Sequence, residues 1–281
     1  RRRQIDVAVI FSSAMAQYVE HMPRMTTVID FVDVDSAKWT QYAPRHRWPL
    51  SWVYRREGRL LLEYERRMAA RAARSFFVTE KEASLFCSQA PECAVRVEAM
   101  GNGVDADYFS SDTHCPSPYA AAEVPVVFTG AMDYWPNIDA VKWFTAEVLP
   151  KLLQGRPQAR FYIVGRSPSA EVQALASESI MVTGTVPDVR PYLQHAAVVV
   201  APLRIARGIQ NKILEAMSMS RPVIASTECA AAVDAVFGQE LLTASTPEDY
   251  VAAISQILDS PETAATVGKA ARQRVSDCYS W

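Results

Sequence analysis

The sequence predicts an α/β fold with two Rossmann-like domains, the first lacking its opening strands. From residue 124 onwards, short continuous apolar runs alternate with helical stretches. Continuous apolar runs mark strands covered on both faces, and strict alternation with helices places such strands in a parallel sheet. Residues 1–112 show a sparser version of the same rhythm, and proline and small residues in 113–125 separate the two regions as a linker.

In the first region, strands are expected at 5–12, 26–34, 74–79 and 94–99, with one long helix at about 51–73. The chain opens on Arg1 rather than methionine, immediately before IDVAVIFSS, and stops at Trp281 just after a helical pattern. Both ends read as cuts, so residues 1–112 are expected to be the later half of their domain. In the second region, 126–281, VPVVFTG reads as a strand. The helix that follows from about Pro136 has Ile138, Val141, Phe144, Val148 and Leu152 on one stripe. ARFYIVG, SIMVTG, AAVVVAP, RPVIAS and QELLTAS are the further strands. One helix start is well signed, with Thr246 as cap, Pro247 at the first helical position and Asp249 completing a capping box.

Composition bounds the function classes. A chain of 281 residues with 49% hydrophobic and 21% charged residues is globular and has room for two domains. A formal net charge of −2 gives no general attraction to nucleic acid, so any cationic site must be a local cluster. Cys87, Cys93, Cys115, Cys229 and Cys278 form no CxxC or zinc-like pattern, and an odd scattered count suits the reducing cytoplasm. No apolar run approaches the ~20 residues that span a bilayer.

The stretch with most chemistry is GIQNKILEAMSMSRPVIAS, residues 208–226, which follows the apolar run VVVAP. At ~100° per residue, a helix over 208–218 would place Gly208, Lys212 and Glu215 on one face and Ile209, Ile213 and Met217 on another. A helix opening at the carboxyl end of a parallel strand offers N–H groups and a positive dipole end to an anion. Gly208 permits close approach, and Lys212 adds a full charge. Glu215 can accept hydrogen bonds from neighbouring ribose hydroxyls. The same spacing equally suits an exposed Lys212–Glu215 pair worth a few tenths of a kcal/mol.

These segments resemble the retaining GT-B glycosyltransferases of family 4. GIQNKILEAMSMSRPVIAS is similar to their nucleotide-sugar motif, and MGNGVDADYF to the turn that ends their first domain. VVFTGAMDYWPNIDAVKWF resembles the first strand, glycine loop and helix of their second domain. ARFYIVGRSP and VTGTVPDVRPYL resemble the nucleobase side of the cleft. With DFVDVDSAKW at 30–39, the likeness is greatest to the sugar transferases associated with PEP-CTERM and exosortase systems. The resemblance implies donor-binding roles for Gly130, Asn137, Gly165, Arg166, Arg204, Gly208, Ile209, Gln210, Asn211, Lys212 and Glu215. It implies transfer of a sugar from a nucleoside diphosphate sugar to a glycan or lipid-linked acceptor in exopolysaccharide biosynthesis, with retention and without a cofactor.

The sequence departs from the family where a second glutamate, eight positions before Glu215, is usual; here it is Arg207. Arginine pairs with phosphate bidentately, so Arg204, Arg207 and Lys212 are expected to form a cationic collar around the diphosphate. Such a collar stabilises the charge that grows on the leaving group, and no metal is then required. The DVD of 33–35 also suits an Asp-x-Asp metal motif, or two aspartates that hydrogen-bond loop backbone. Asp33 and Asp35 are the candidates for polar contacts to donor or acceptor sugar, and with Arg207 and Lys212 they form the expected catalytic set. The histidine that many family members carry near this strand end is not matched, since VIDFVDVDS offers Val32 or Asp33 there.

Residues 45–74 interleave nine arginines with Trp48, Trp52, Tyr54 and a Leu60, Tyr64, Met68 stripe. The 45–54 part suits peripheral contact with the inner membrane face, whereas 55–73 reads as an amphipathic helix packed on its own domain. A sugar-nucleotide epimerase and a non-catalytic nucleotide-binding protein share the architecture and remain alternatives. An NAD dehydrogenase is disfavoured because no GxGxxG follows a strand. A first domain without its opening strands is expected to leave the fragment inactive in transfer.

Overall fold

The computed structural model describes residues 5–22, 25–112, 114–206 and 208–281. They fall into two compact units, 5–102 with 208–209 and 103–206 with 210–281. Each is built on a wholly parallel sheet, as the apolar runs predict.

The first unit orders its strands β1 (Val7–Phe11), β2 (Thr26–Val32), β3 (Arg74–Phe77) and β4 (Val97–Ala99) in sequence across the sheet. The strand expected at 94–99 is shorter because Pro91 opens a 3-10 turn that runs to Arg96. Helices α1 (Asp35–Tyr42), α2 (Leu50–Arg71) and α3 (Glu80–Gln89) accompany the sheet. The core is aromatic. Phe31 stacks on Phe77 at 5.3 Å and on Phe86 at 5.9 Å between ring centroids, and all three side chains are buried.

Two buried acids hold the loop between β2 and α1. Glu82 accepts a hydrogen bond from the Val34 N–H at 2.8 Å, and Glu65 accepts from the Ser36 hydroxyl at 2.6 Å and the Ser36 N–H at 3.3 Å. Burial raises the Glu65 carboxyl to about 7 despite the Ser36 bonds.

The second unit orders its strands β10-β9-β8-β5-β6-β7. These are β5 (Val124–Thr129), β6 (Ala159–Val164), β7 (Ile180–Gly184), β8 (Val198–Ala201), β9 (Val223–Ser226) and β10 (Leu242–Ala244). The chain builds outwards from β5 to β7, then returns to lay β8 on the other side of β5. That reversal leaves a crevice at the carboxyl ends of β5 and β8. After β5 come α4 (Trp135–Trp143), a single π turn (Phe144–Val148) and α5 (Leu149–Gly155). The expected stripe crosses all three, with Val141, Phe144, Val148 and Leu152 buried and Ile138 half-buried. Five more helices follow: α6 (Ala170–Gln173), α7 (Arg190–Gln194), α8 (Asn211–Ser218), α9 (Thr227–Ala230) and α10 (Pro247–Asp259), before the closing α11 (Pro261–Cys278). The capping box at α10 forms, with the Asp249 N–H donating to Thr246 Oγ1 at 3.2 Å and the Thr246 N–H to Asp249 Oδ2 at 2.9 Å.

The expected boundary at 112 and linker at 113–125 require correction. The division falls at 102/103, because backbone groups of the next stretch are satisfied within the second unit. The Val104 N–H donates to the Tyr279 carbonyl at 2.8 Å, the Asp112 N–H to Gln194 Oε1 at 2.8 Å, and the Tyr119 hydroxyl to the Tyr192 carbonyl at 2.6 Å.

Because Phe86 closes the aromatic stack of the first unit, Phe86→Ala is expected to lower the stability of β2 and β3 by ~3–5 kcal/mol. Native-state hydrogen exchange of their amides reads the loss, and unchanged protection would show that the stack contributes little.

Candidate functional site

The crevice is shaped first by two glycines at strand ends. The Gly130 N–H, just past β5, donates to the Val164 carbonyl at 3.0 Å, so the backbones leaving β5 and β6 run side by side. Both residues have positive φ, +156° at Gly130 and +154° at Gly165. A side chain on Gly165 would collide with the Gly130 carbonyl, and one on Gly130 would meet Asn137 Nδ2 at 2.8 Å and Lys212 Nζ at 2.9 Å. The glycine at 130 therefore makes room for a lysine.

Lys212, in the first turn of α8, reaches under that turn. Its ammonium donates to Asn137 Oδ1 at 2.6 Å and lies 4.1 Å from the centre of the Phe128 ring. Asn137 Nδ2 donates to the Ala131 carbonyl at 2.9 Å, which fixes the amide so that its oxygen faces the lysine. Removal from water pushes the Lys212 ammonium down to about 7, against the opposing pull of the Cys229 thiol and the Glu215 carboxyl. Burial raises Glu215 in turn, with Lys212 lowering it. The thiol itself is pushed up to about 11 by burial. Among the described residues, Lys212 thus has one hydrogen-bond acceptor and an aromatic face, which is poor compensation for an ammonium.

These residues border an open cleft of about 650 Å³. Of the residues singled out from the sequence, the cleft brings together Gly130, Asn137, Gly165, Arg166, Gln210, Asn211, Lys212 and Glu215. Tyr134, Thr129 and Ala131 also line it. So do Thr185, Val186 and Val189, which follow β7 within VTGTVPDV and carry no individual sequence signal. The cleft thus collects the carboxyl ends of three strands and the amino end of α8, where the first N–H groups of a helix have no intrahelical acceptor.

Of the expected cationic collar, Lys212 lines the cleft and Arg204 does not. Arg204 pairs with Asp139, its Nε donating to Oδ2 at 3.0 Å and its Nη2 to Oδ1. Asp139 lies two residues beyond Asn137, ~200° around α4. The ion pair therefore draws Arg204 to the far flank of that helix, beside Lys142 and Trp143. Arg207 lies outside the described residues. The helix begins at Asn211 rather than 208, because Gly208 has φ +59° and Gln210 is extended, so Gly208 shares no helix face with Lys212 and Glu215. Ile209 is buried. Asp33 and Asp35 belong to the first unit, where Asp35 accepts from the Ser13 hydroxyl at 3.2 Å and pairs with Lys38 at 3.6 Å in the first turn of α1.

Residues 123–260 match the family of glycosyl transferases group 1. That match and the two parallel sheets support a glycosyltransferase of GT-B fold. Among solved structures, HepE of Anabaena with bound UDP is 16% identical, with 97% of this chain and 74% of that chain covered at a TM-score of 0.71. Sucrose-phosphate synthase of Thermosynechococcus elongatus is 16% identical, with coverage of 98% and 70% and a TM-score of 0.75. TarM of S. aureus, in complex with Fondaparinux, alpha-GlcNAc-glycerol and UDP, is 14% identical, with coverage of 97% and 52% and a TM-score of 0.71. At such identities the likeness shows the fold. No curated protein matches in sequence. No helix among the described residues is long and apolar enough to cross a membrane.

The buried ammonium has a stability signature. Its folded pKa is depressed below the unfolded value, so the unfolded chain binds more protons between about pH 7 and ~10.4 and stability rises with pH across that window. The cost is fully present below about pH 7. Lys212→Met is expected to raise stability by about 1–3 kcal/mol at pH 6, with the gain shrinking towards pH 10. Urea melts at the two pH values measure it, and a destabilised Lys212→Met protein at pH 6 would contradict this account of the lysine.

Proposed function

We propose that the chain is a retaining transferase of family 4 that takes its sugar from a nucleoside diphosphate sugar and delivers it to a glycan or lipid-linked acceptor of an exopolysaccharide. The observation that carries the donor reading is the convergence of Lys212, Glu215, the amino end of α8 and two side-chain-free turns on one cleft. The diphosphate is assigned to the start of α8, against Lys212, with the nucleobase towards Arg166 and the loop after β7. Glu215 accepts from the ribose hydroxyls. An anion in this place gives Lys212 a charged partner beside Asn137, so binding restores the ammonium to full charge.

As the glycosidic bond breaks, negative charge collects on the diphosphate. Lys212 and the α8 N–H groups, fixed before reaction, stabilise that charge more than they stabilise the ground state. Arg166 is the arginine that borders the same cleft among the described residues. With Arg204 held by Asp139, Lys212 and Arg166 take the place assigned to the collar. The peripheral membrane contact through 45–54, at the cytoplasmic face of the inner membrane, would set the enzyme beside a lipid-linked acceptor. No cofactor takes part in this scheme.

Calorimetric titration with UDP and GDP tests the donor site. Lys212→Ala is expected to weaken nucleotide binding by on the order of 1.5–3 kcal/mol, the worth of a charge-assisted contact. Glu215→Ala should weaken nucleosides more than inorganic diphosphate. Unchanged affinity in both variants, or no binding of either nucleotide by the parent chain, would remove the site from this cleft. Transfer by the complete protein is expected to survive EDTA, because Lys212, Arg166 and the helix end carry the leaving-group charge. Activity abolished by EDTA and restored by Mg²⁺ would place a metal in the mechanism instead.

A further inference from the structure

Asn137 borders the donor cleft, yet it is 5% exposed and its amide is engaged on both sides. Its backbone N–H donates to the Tyr134 carbonyl at 2.9 Å, which sets the residue in the first turn of α4 behind Trp135 and Pro136. Its side chain bridges two neighbours, donating to the Ala131 carbonyl at 2.9 Å and accepting from the Lys212 ammonium at 2.6 Å. Among the described residues, the titratable groups that act on Lys212 are Glu215 on its own helix and the Cys229 thiol of α9. From α4 it meets this amide and from β5 the Phe128 ring, both uncharged. The carboxyl that α4 does carry, Asp139, lies on the other flank and pairs with Arg204.

Each alternative at position 137 would treat the lysine differently. A carboxylate in contact with the ammonium would neutralise it and set a negative charge beside an incoming diphosphate. An apolar side chain would take away its acceptor, and the ammonium would shed its proton more readily. A primary ammonium has three N–H donors, so one amide oxygen fixes the direction of the group and leaves two donors for a ligand. We propose that Asn137 is the positioning residue of the donor site: its neutral amide aims the Lys212 ammonium at the diphosphate without neutralising it. Asn137 acts through the lysine rather than on the donor, unlike the contact role that the family resemblance implies. The inference deepens the reading of the cleft as a nucleoside diphosphate sugar site, and rests on it.

Calorimetric titration of the full chain with UDP-glucose and GDP-glucose at pH 6 and pH 8 tests this role, since a diphosphate diester keeps its charge across that range. The ligand-free lysine loses its proton above about 7 and a bound anion restores it, so the parent's affinity is expected to fall on the order of 10-fold from pH 6 to pH 8. Asn137→Asp should bind on the order of 10- to 100-fold more weakly at pH 6 and lose most of the pH dependence, because the new carboxylate pairs with the lysine and holds it charged. Asn137→Ala should also bind more weakly, with a steeper fall towards pH 8. A residue that only shapes the turn after β5 would lower affinity by one factor at both pH values in both variants. Urea melts without ligand show that the variants fold, and Asn137→Asp should reduce the rise of stability with pH above about 7. An Asn137→Asp protein that binds like the parent, or two variants that both keep the parent's ratio between pH 6 and pH 8, would overturn the role of Asn137 and leave the donor site standing. A parent chain that binds neither nucleotide sugar would overturn the donor site, and this role with it.

Discussion

The second unit is organised around one ammonium group that water would solvate better. Lys212 can enter the interior only because residue 130 has no side chain, because Asn137 turns its oxygen inwards and because Phe128 presents a ring face. Those three supports come from the end of β5, the turn after it and the helix α4, while the lysine comes from α8 on the other side of the strand-order reversal. The charge therefore couples the two halves of the sheet. It also explains why the site spends stability: a cation kept short of partners is ready to receive an anion.

Much of this was readable from residues alone because it is local. Apolar runs marked the ten strands among the described residues, and the Thr246–Asp249 box announced α10. Lys212 and Glu215 were legible from helical spacing. What the sequence could not convey was competition between distant partners. Arg204 is as basic in the sequence as any collar residue, yet Asp139, 65 positions earlier, captures it. Gly208 offers both a helix start and a left-handed turn, and the turn wins, which delays α8 to Asn211. The proline-rich segment before β5 looks like a free tether, but its tyrosine and backbone groups find acceptors on the second unit.

The first unit shows the same limit from another side. DVDS invites a functional reading, and its structural role depends on Glu65 and Glu82, which lie 29 and 48 positions from the groups they accept. Neither acid announces itself, since Glu65 sits within a helix otherwise rich in arginine. A carboxyl raised to about 7 beneath Ser36 nevertheless makes the amino end of α1 sensitive to protonation around neutrality. Asp33 and the first turn of α1, which bears Asp35, are held by carboxyls of α2 and α3.

The strand order has a kinetic side. Strands β5, β6 and β7 are successive neighbours and can assemble from short-range units, whereas β8 must return past them to pair with β5 before β9 and β10 can add. Contacts that span such a return form slowly, because loop closure must precede their reward. The cleft has one wall from each side of that return, so it exists only once the sheet is complete. A molecule that fills it binds the finished state and none of the precursors, and it holds the late half of the sheet to the early half by mass action.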